Sequence, residues 1–305
     1  MSIKEKRRIF MKLTEDIVIT GNRAIARSYA KINLTLDITN KREDGYHELE
    51  TIMQTVNLFD LVIVDKHTSG IKVNTNKKFL PSNNKNIAYK AADAFFEALG
   101  KKGCGAKILI HKNIPVSAGM AGGSGNGAAV LAALNLLYQN PFCEEELLKI
   151  GATIGADVPY CMMGRTQLAT GIGEILTPVK HKTKYYILIV TPSFGVSTPW
   201  AFSEFDKVEK TIFPDTQAMK KALEDEDYYG MCNRLSNTLE GVLIKKYPEI
   251  GKIKEKMLCD GANGALMSGS GATVFAFFDD YKKAKAAHDS LSLRYKDVFL
   301  TTTLP

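Results

Sequence analysis

Nine residues, Gly119-Met120-Ala121-Gly122-Gly123-Ser124-Gly125-Asn126-Gly127, hold five glycines and stand between a β-rich segment, Lys107 to His111, and a very apolar run, Ala128 to Tyr138. Glycines at that density let a backbone approach an anion closely, and the helix start that follows offers unpaired N–H groups and the positive end of its dipole. The unit reads as a glycine-rich loop, Pro115 to Gly127, that cradles phosphate and feeds a buried helix. A flexible connection at a close helix packing is the plainer alternative. No G-x-x-x-x-G-K-[ST] and no G-x-G-x-x-G occurs, which disfavours a Walker NTPase and a Rossmann dehydrogenase.

The 305 residues suffice for about two domains at the usual ~100–200 residues each. With 45% hydrophobic and 24% charged residues, the chain has the make-up of an ordinary globular protein, not of a disordered one. No apolar run approaches the ~18 residues of a membrane span. The net charge of +7 is concentrated at the start, where Lys4, Lys6, Arg7, Arg8 and Lys12 stand against Glu5 alone and supply +4 of it. This stretch reads as a solvated tail, since no apolar segment or small-residue cleavage site follows it. The remainder is only mildly basic and lacks the clustered Lys, Arg and aromatics of a nucleic-acid face. Five cysteines without a C-x-x-C pair fit thiols in a reducing cytoplasm, and the five histidines show no zinc spacing, so no protein-held metal site is expected.

Ile17 to about Val73 reads as strands with a turn at Arg42-Glu43-Asp44-Gly45. Ala88, Ala91, Ala92, Phe95 and Leu99 fall on one helical face, giving a helix over Asn86 to Leu99 that Gly100 and Gly103 end. A helix over Glu144 to Gly151 precedes strands at Thr166 to Thr170 and Ile172 to Thr177. Lys180 to Lys184 reads as a linker. Beyond it come a strand (Tyr185 to Val190), several helices between Pro199 and Asp260, a strand (Val274 to Phe278), a helix (Lys282 to Leu293) and a last strand (Val298 to Thr302). The pattern is α+β with a split β-α-β character and two domains, residues 1–180 and 181–305.

Four further segments accompany the glycine loop: Ala30-Lys31-Ile32-Asn33-Leu34, Asp44-Gly45-Tyr46-His47, Gly155-Ala156-Asp157-Val158-Pro159 and Met267-Ser268-Gly269-Ser270-Gly271-Ala272-Thr273. Together they resemble the motifs of the GHMP small-molecule kinases, from about Arg27 to Phe278. Within that family the D-G-Y-H element resembles the branch that phosphorylates the 2-hydroxyl of a cytidine-diphosphate-linked methylerythritol. The resemblance implies a ribosomal-protein-S5-like N-terminal domain, a ferredoxin-like C-terminal domain, ATP with Mg²⁺, and a small-molecule substrate without nucleic acid or membrane. A homodimer is left open.

By that resemblance Lys31 and Asp157 form the catalytic pair. The chemistry agrees, because phosphoryl transfer to an alcohol needs a carboxylate to accept or orient the hydroxyl proton and a cation to offset charge on the reacting oxygens. Asp157, just ahead of Pro159, is expected on a rigid turn and not in a helix interior. Asn33, two residues beyond Lys31 on a strand, faces the same side and is expected to hold a substrate hydroxyl. Tyr46 and His47 match positions that stack on and hydrogen-bond a cytosine ring, and Thr198 and Phe202, on either side of Pro199, are expected to bind substrate as well, Phe202 falling near a second stacking aromatic. Asn86, Ile87 and Lys112 match the adenine end of an ATP site. Pro115, Gly119, Met120, Ala121, Gly122, Gly123, Ser124, Gly125 and Asn126 match the phosphate loop.

Gly125, Asn126 and Gly127 depart from the family's usual Ser or Thr, Asp or Asn, then Ala, and Tyr29 stands where Pro is common. Gly125 removes a hydroxyl, which bears on ATP affinity more than on reaction class, since backbone N–H groups remain. Two rivals stand beside this reading: a homoserine- or mevalonate-type kinase, which has no base to recognise, and a catalytically silent nucleotide-binding protein on the same fold.

Overall fold

The structure, a computed structural model, describes residues 16–101 and 103–305; the basic start of the chain lies outside the described residues. Two compact units are present. The first takes the described residues through Ala30 together with Phe59–Ile114 and Ala121–Gly164. Here β1 (Ile17–Thr20) pairs antiparallel with the start of β2 (Arg23–Lys41), Ile17 opposite Ala26. The end of β3 (His47–His67) leads into β4 (Gly70–Thr75). Helix α1 (Ile87–Leu99) then crosses to β5 (Gly105–His111), which runs parallel to β4 and antiparallel to β3. A parallel pair needs such a crossover, and β5 alternates as a half-buried strand should, with Ala106, Ile108 and Ile110 inward.

Helix α1 is set by its ends as well as by its apolar face. The Asn86 side chain caps it by accepting from Ala88 N, and Gly100 closes it at φ +63°. Its buried face is Ala88, Ala91, Ala92 and Phe95. Helix α2 (Gly122–Leu137) is buried on nearly every side, which explains its small and aliphatic composition. It begins at Gly122, six residues before the expected start, so the expected loop is a short segment followed by a glycine-rich first turn and a half. Helices α3 (Glu144–Ile154) and α4 (Asp157–Met163) complete the unit.

The second unit takes Lys31–Leu58, Pro115–Met120 and Arg165–Pro305. On the first part of β3, β6 (Thr166–Thr170) pairs antiparallel, and β7 (Ile175–Pro178) pairs with β6. The strand expected from Ile172 starts only at Ile175 because Gly171 and Gly173 take positive φ in a turn. Strand β8 (Tyr186–Thr191) is followed by α5 (Thr198–Phe205), α6 (Thr216–Glu224), α7 (Tyr228–Asn233) and the short β9 (Ser236–Asn237). Next come α8 (Glu240–Lys246), α9 (Pro248–Cys259), β10 (Gly264–Met267), β11 (Val274–Phe278), α10 (Tyr281–Ser292) and β12 (Asp297–Thr302). Strands β10, β11, β8 and β12 form an antiparallel sheet in that order, the arrangement of a ferredoxin-like unit. Its core joins Leu188, Val190, Val274 and Phe278 to Ile250, Ile253 and Met257 of α9.

The units interleave along the chain and do not divide at residue 180. Strands of 19 and 21 residues are the reason: β2 and β3 each supply residues to both units. Lys180 to Lys184 lies inside the second unit and links nothing to the first. Among the described residues no disulfide is present, and no helix is long and apolar enough to cross a membrane.

Candidate active site

Strand alternation puts Lys31 and Asn33 on one face of β2, and both are buried. Lys31 Nζ donates to Asn33 Oδ1 at 2.6 Å, and Asn33 Nδ2 donates to Thr51 Oγ1 at 2.9 Å. The ammonium therefore has a neutral acceptor and no carboxylate partner among the described residues. A buried cation in that condition is suited to an anionic ligand, because burial penalises a charge that nothing offsets.

The Lys31 backbone N–H donates to Met120 O at 3.2 Å, tying the strand to the segment Pro115–Met120. Gly119 in that segment takes φ +73°, and a Cβ there would stand 2.2 Å from Ser268 O, so no other residue fits. Ser268 Oγ donates to Gly119 O at 3.0 Å. The motif Met267 to Thr273 is in turn held by Asn237, whose amide donates to Met267 O at 2.9 Å and Gly269 O at 2.8 Å. Thr198 Oγ1 and Ser270 Oγ are 2.8 Å apart. The second glycine motif is thus a brace for the first. Pro115 opens the braced segment half-buried and Met120 is buried.

In the first unit, Ala121 enters α2 at φ +52°, an unfavourable value for a residue with a Cβ. No side chain caps the helix and no acidic residue lies in its first turn. Its initial N–H groups have no intrahelical acceptor, which is the condition for anion binding. The glycines themselves answer to packing. A Cβ at Gly122 would lie 3.0 Å from Lys112 Nζ, one at Gly125 2.7 Å from Ser28 Oγ, and one at Gly127 2.8 Å from Ile87 Cγ2. Gly123 has only the tip of Ile87 nearby, at 3.2 Å. The Ser124 hydroxyl has no partner among the described residues.

Three residues matched to the ATP site are occupied within the protein. The Lys112 ammonium forms a buried ion pair with Asp60 Oδ2 and reaches Asn126 Oδ1 at 3.2 Å. Burial pushes the Lys112 ammonium below its usual range, with Asp60 opposing the shift. Asp60 Oδ1 accepts from Asn113 N and Ile114 N at 2.7 and 2.9 Å. Asn126 Nδ2 donates to Asp60 Oδ2 at 2.8 Å and Ser28 Oγ at 3.1 Å. Asn86 caps α1 and its Nδ2 donates to Pro81 O at 2.7 Å. As placed, Lys112 and Asn126 form the polar underside of the glycine turn, and Ile87 packs on it.

Asp157 is half-buried and is the first residue of α4, in place of the expected free-standing turn. Pro159 sits in the first turn, where its missing N–H costs no hydrogen bond. The Asp157 carboxylate has no hydrogen-bond or ion-pair partner among the described residues.

The turn Arg42 to Tyr46 presents Tyr46, which is 60% exposed, while the next residue, His47, is 8% exposed. Gly45 supports the turn at φ +86°. The His47 ring stacks on Phe202 at 5.0 Å and 28°, and its Nε2 lies 2.7 Å from Asp206 Oδ1. Asp206 Oδ2 accepts from Lys41 Nζ at 2.6 Å. Burial would raise the Asp206 carboxyl, but hydrogen bonds from Lys41 and His47 outweigh it and hold the group below the ordinary carboxylate range. The sequence-matched Tyr46, His47, Phe202 and Thr198 thus share the second unit with Lys31 and Asn33, and His47 meets Phe202 directly. Asp206, Asn237, Thr51, Asp60 and Ser28 escaped sequence reading, because single polar residues whose partners are distant in the chain carry no local pattern.

Residues 86–165 match the GHMP kinases N terminal domain and residues 210–297 the GHMP kinases C terminal. The chain is 45% identical over 278 residues to the 4-diphosphocytidyl-2-C-methyl-D-erythritol kinase of Clostridium beijerinckii, covering 91% of this chain and 99% of the relative. It is 46% identical over 279 residues to the enzyme of that name from Alkaliphilus oremlandii, covering 91% and 95%. A crystal structure of 4-(cytidine 5'-diphospho)-2C-methyl-D-erythritol kinase superposes with a TM-score of 0.77 at 31% identity, over 92% of this chain and 99% of that one. L. major mevalonate kinase, at 16% identity and a TM-score of 0.71, shares the fold; 95% of this chain and 97% of that one are covered.

Proposed function

Since the chain belongs to the GHMP kinases, in the family of the 4-diphosphocytidyl-2-C-methyl-D-erythritol kinases, and is an ATP-dependent small-molecule kinase, we propose that its acceptor is the 2-hydroxyl of that cytidine-diphosphate-linked methylerythritol. The products are the 2-phosphate and ADP, in the non-mevalonate route to isoprenoid precursors. The observation that carries the acceptor is 45% identity to a relative of that name over nine-tenths of the chain. The stacked His47 and Phe202 beside the exposed Tyr46 support it, since two aromatic faces and an imidazole edge are what a nucleobase needs. The site is assigned to the cytoplasm, in keeping with five cysteines and no disulfide.

In this reading Asp157, whose carboxylate is unengaged, accepts or orients the proton of the attacking hydroxyl. Lys31 sets a positive charge against the oxygens of the transferring group, and Asn33 fixes the ammonium at 2.6 Å. The uncapped start of α2 receives the nucleotide phosphates through its N–H groups. Mg²⁺ takes oxygen donors and keeps several of them as water and phosphate, so a full protein cage is unnecessary. Among the described residues no cluster of three metal ligands exists, and the unengaged Ser124 hydroxyl is the hard-oxygen donor that fits such an arrangement. Bound there, such an ion would supply charge neutralisation to the nucleotide phosphates.

The test is an ATP-consumption assay against the cytidyl substrate, homoserine and mevalonate in parallel. Turnover with the cytidyl substrate alone supports the reading. Turnover with homoserine or mevalonate instead, or with none of the three, refutes it.

A further inference from the structure

His47 is held by more than its place in the turn. Its ring stacks face to face on Phe202 and meets Phe205 edge-on at 6.5 Å and 74°, so the two aromatics of α5 leave it little freedom to rotate. Asp206, the next residue after α5, closes the third side with Oδ1 at 2.7 Å from Nε2. Its other oxygen is taken by Lys41, from the end of β2.

An ionised carboxylate can only accept hydrogen bonds, so the proton in this contact sits on Nε2. A neutral imidazole has one N–H, and with that proton on Nε2 its Nδ1 carries a lone pair. Nδ1 has no hydrogen-bond partner among the described residues. We propose that Asp206 is a specificity-determining positioning residue: by holding the Nε2–H form of His47, it makes Nδ1 an acceptor that reads an exocyclic amino group on the acceptor's base. A cytosine offers such a donor at C4, whereas a uracil offers a carbonyl oxygen there, which would set lone pair against lone pair. The inference rests on the cytidyl acceptor proposed above. It goes beyond that proposal in stating which nitrogen does the reading and which residue decides it.

Long-range ¹H–¹⁵N correlation spectra of histidine-labelled enzyme, without substrate and at a pH where His47 is neutral, read the tautomer directly. His47→Ala identifies the resonances. The wild type is expected to show Nε2–H with an unprotonated Nδ1, and Asp206→Ala to show exchange between both forms. In steady-state kinetics Asp206→Ala is expected to raise KM for the cytidyl substrate by about 3–10-fold, the range of one hydrogen bond, with kcat and KM for ATP within about twofold. The preference for the cytidyl over the matching uridyl substrate should fall by the same factor. Asp206→Asn, whose amide oxygen still accepts from Nε2–H, should recover most of that preference. A wild-type ring protonated at Nδ1, or an Asp206→Ala enzyme that loses both substrates equally, would overturn the proposal. If the wild type fails to turn over the cytidyl substrate, the acceptor reading falls instead, while the spectra still decide the tautomer.

Discussion

Lys31 and Asn33, two residues apart on one face of β2, meet through a 2.6 Å hydrogen bond, and Asn33 is itself held by Thr51 at 2.9 Å. The chain Thr51–Asn33–Lys31 orients a buried ammonium without neutralising it. Lys31→Met, which keeps the length and removes the charge, is expected to lower kcat by roughly 10²–10³-fold, the range for losing one donor aimed at developing charge. The unfolding midpoint should fall only modestly, because the buried Asn33 Oδ1 loses its donor while a buried charge without a carboxylate partner is removed. An unchanged kcat with a lowered midpoint would make Lys31 a structural residue.

Gly119 and Gly123 should separate the two parts of the glycine segment. Gly119→Ala drives a Cβ into Ser268 O and forces φ +73° on an alanine, so it is expected to destabilise the chain by about 1–3 kcal/mol in denaturant unfolding. Gly123→Ala meets only the flexible tip of Ile87 and should leave the midpoint nearly unmoved while raising KM for ATP. If Gly123→Ala leaves KM for ATP unchanged, the start of α2 does not receive the nucleotide.

The sequence carried the site unevenly. Apolar spacing over Ala88 to Phe95 located α1, and alternation alone put Asn33 beside Lys31. The start of α2 is not legible in the sequence because glycine is the poorest helix former after proline, and here tertiary packing overrides propensity: Ile87 needs the space at Gly127, and Ser28 the space at Gly125. The Lys112–Asp60 pair joins residues 52 apart in the chain and the His47–Asp206 contact residues 159 apart, separations at which no local pattern survives. Lys112, the residue whose motif matches an ATP site, lies under the glycine turn facing Asp60, a partner that no motif reveals.

That placement has its own consequence. Lys112→Met would leave Asp60 buried without its cation, and removal of one partner of a buried pair typically costs about 3–5 kcal/mol. Two backbone N–H donors remain on Asp60, so the lower end of that range is expected in urea unfolding. The double variant Lys112→Met/Asp60→Asn should regain part of the loss. A stable Lys112→Met enzyme with a raised KM for ATP would return Lys112 to direct nucleotide contact.

Asp206 also predicts a pH effect on stability. Its carboxyl is depressed in the folded chain, so its contribution is fully present above the unfolded value near 3.8 and is lost as pH falls through the folded value. The pair is only partly shielded from water, and the contribution is expected to stay below about 1 kcal/mol. The difference in unfolding free energy between wild type and Asp206→Asn should therefore be seen at pH 7 and shrink below about pH 4. A difference that grows on acidification would contradict the ion-pair assignment.

The central claim, transfer of the γ-phosphoryl group to a hydroxyl of the cytidyl substrate with Asp157 at the reacting oxygen, is tested most directly by ³¹P spectra recorded during turnover. With the wild type, one phosphomonoester resonance should grow in step with ADP while the substrate's own diphosphate signals persist. With Asp157→Asn the same resonance should grow roughly 10²–10⁴-fold more slowly, the range for loss of a general base. ADP forming without a new monoester, loss of the substrate diphosphate, or an undiminished rate in Asp157→Asn would contradict the account.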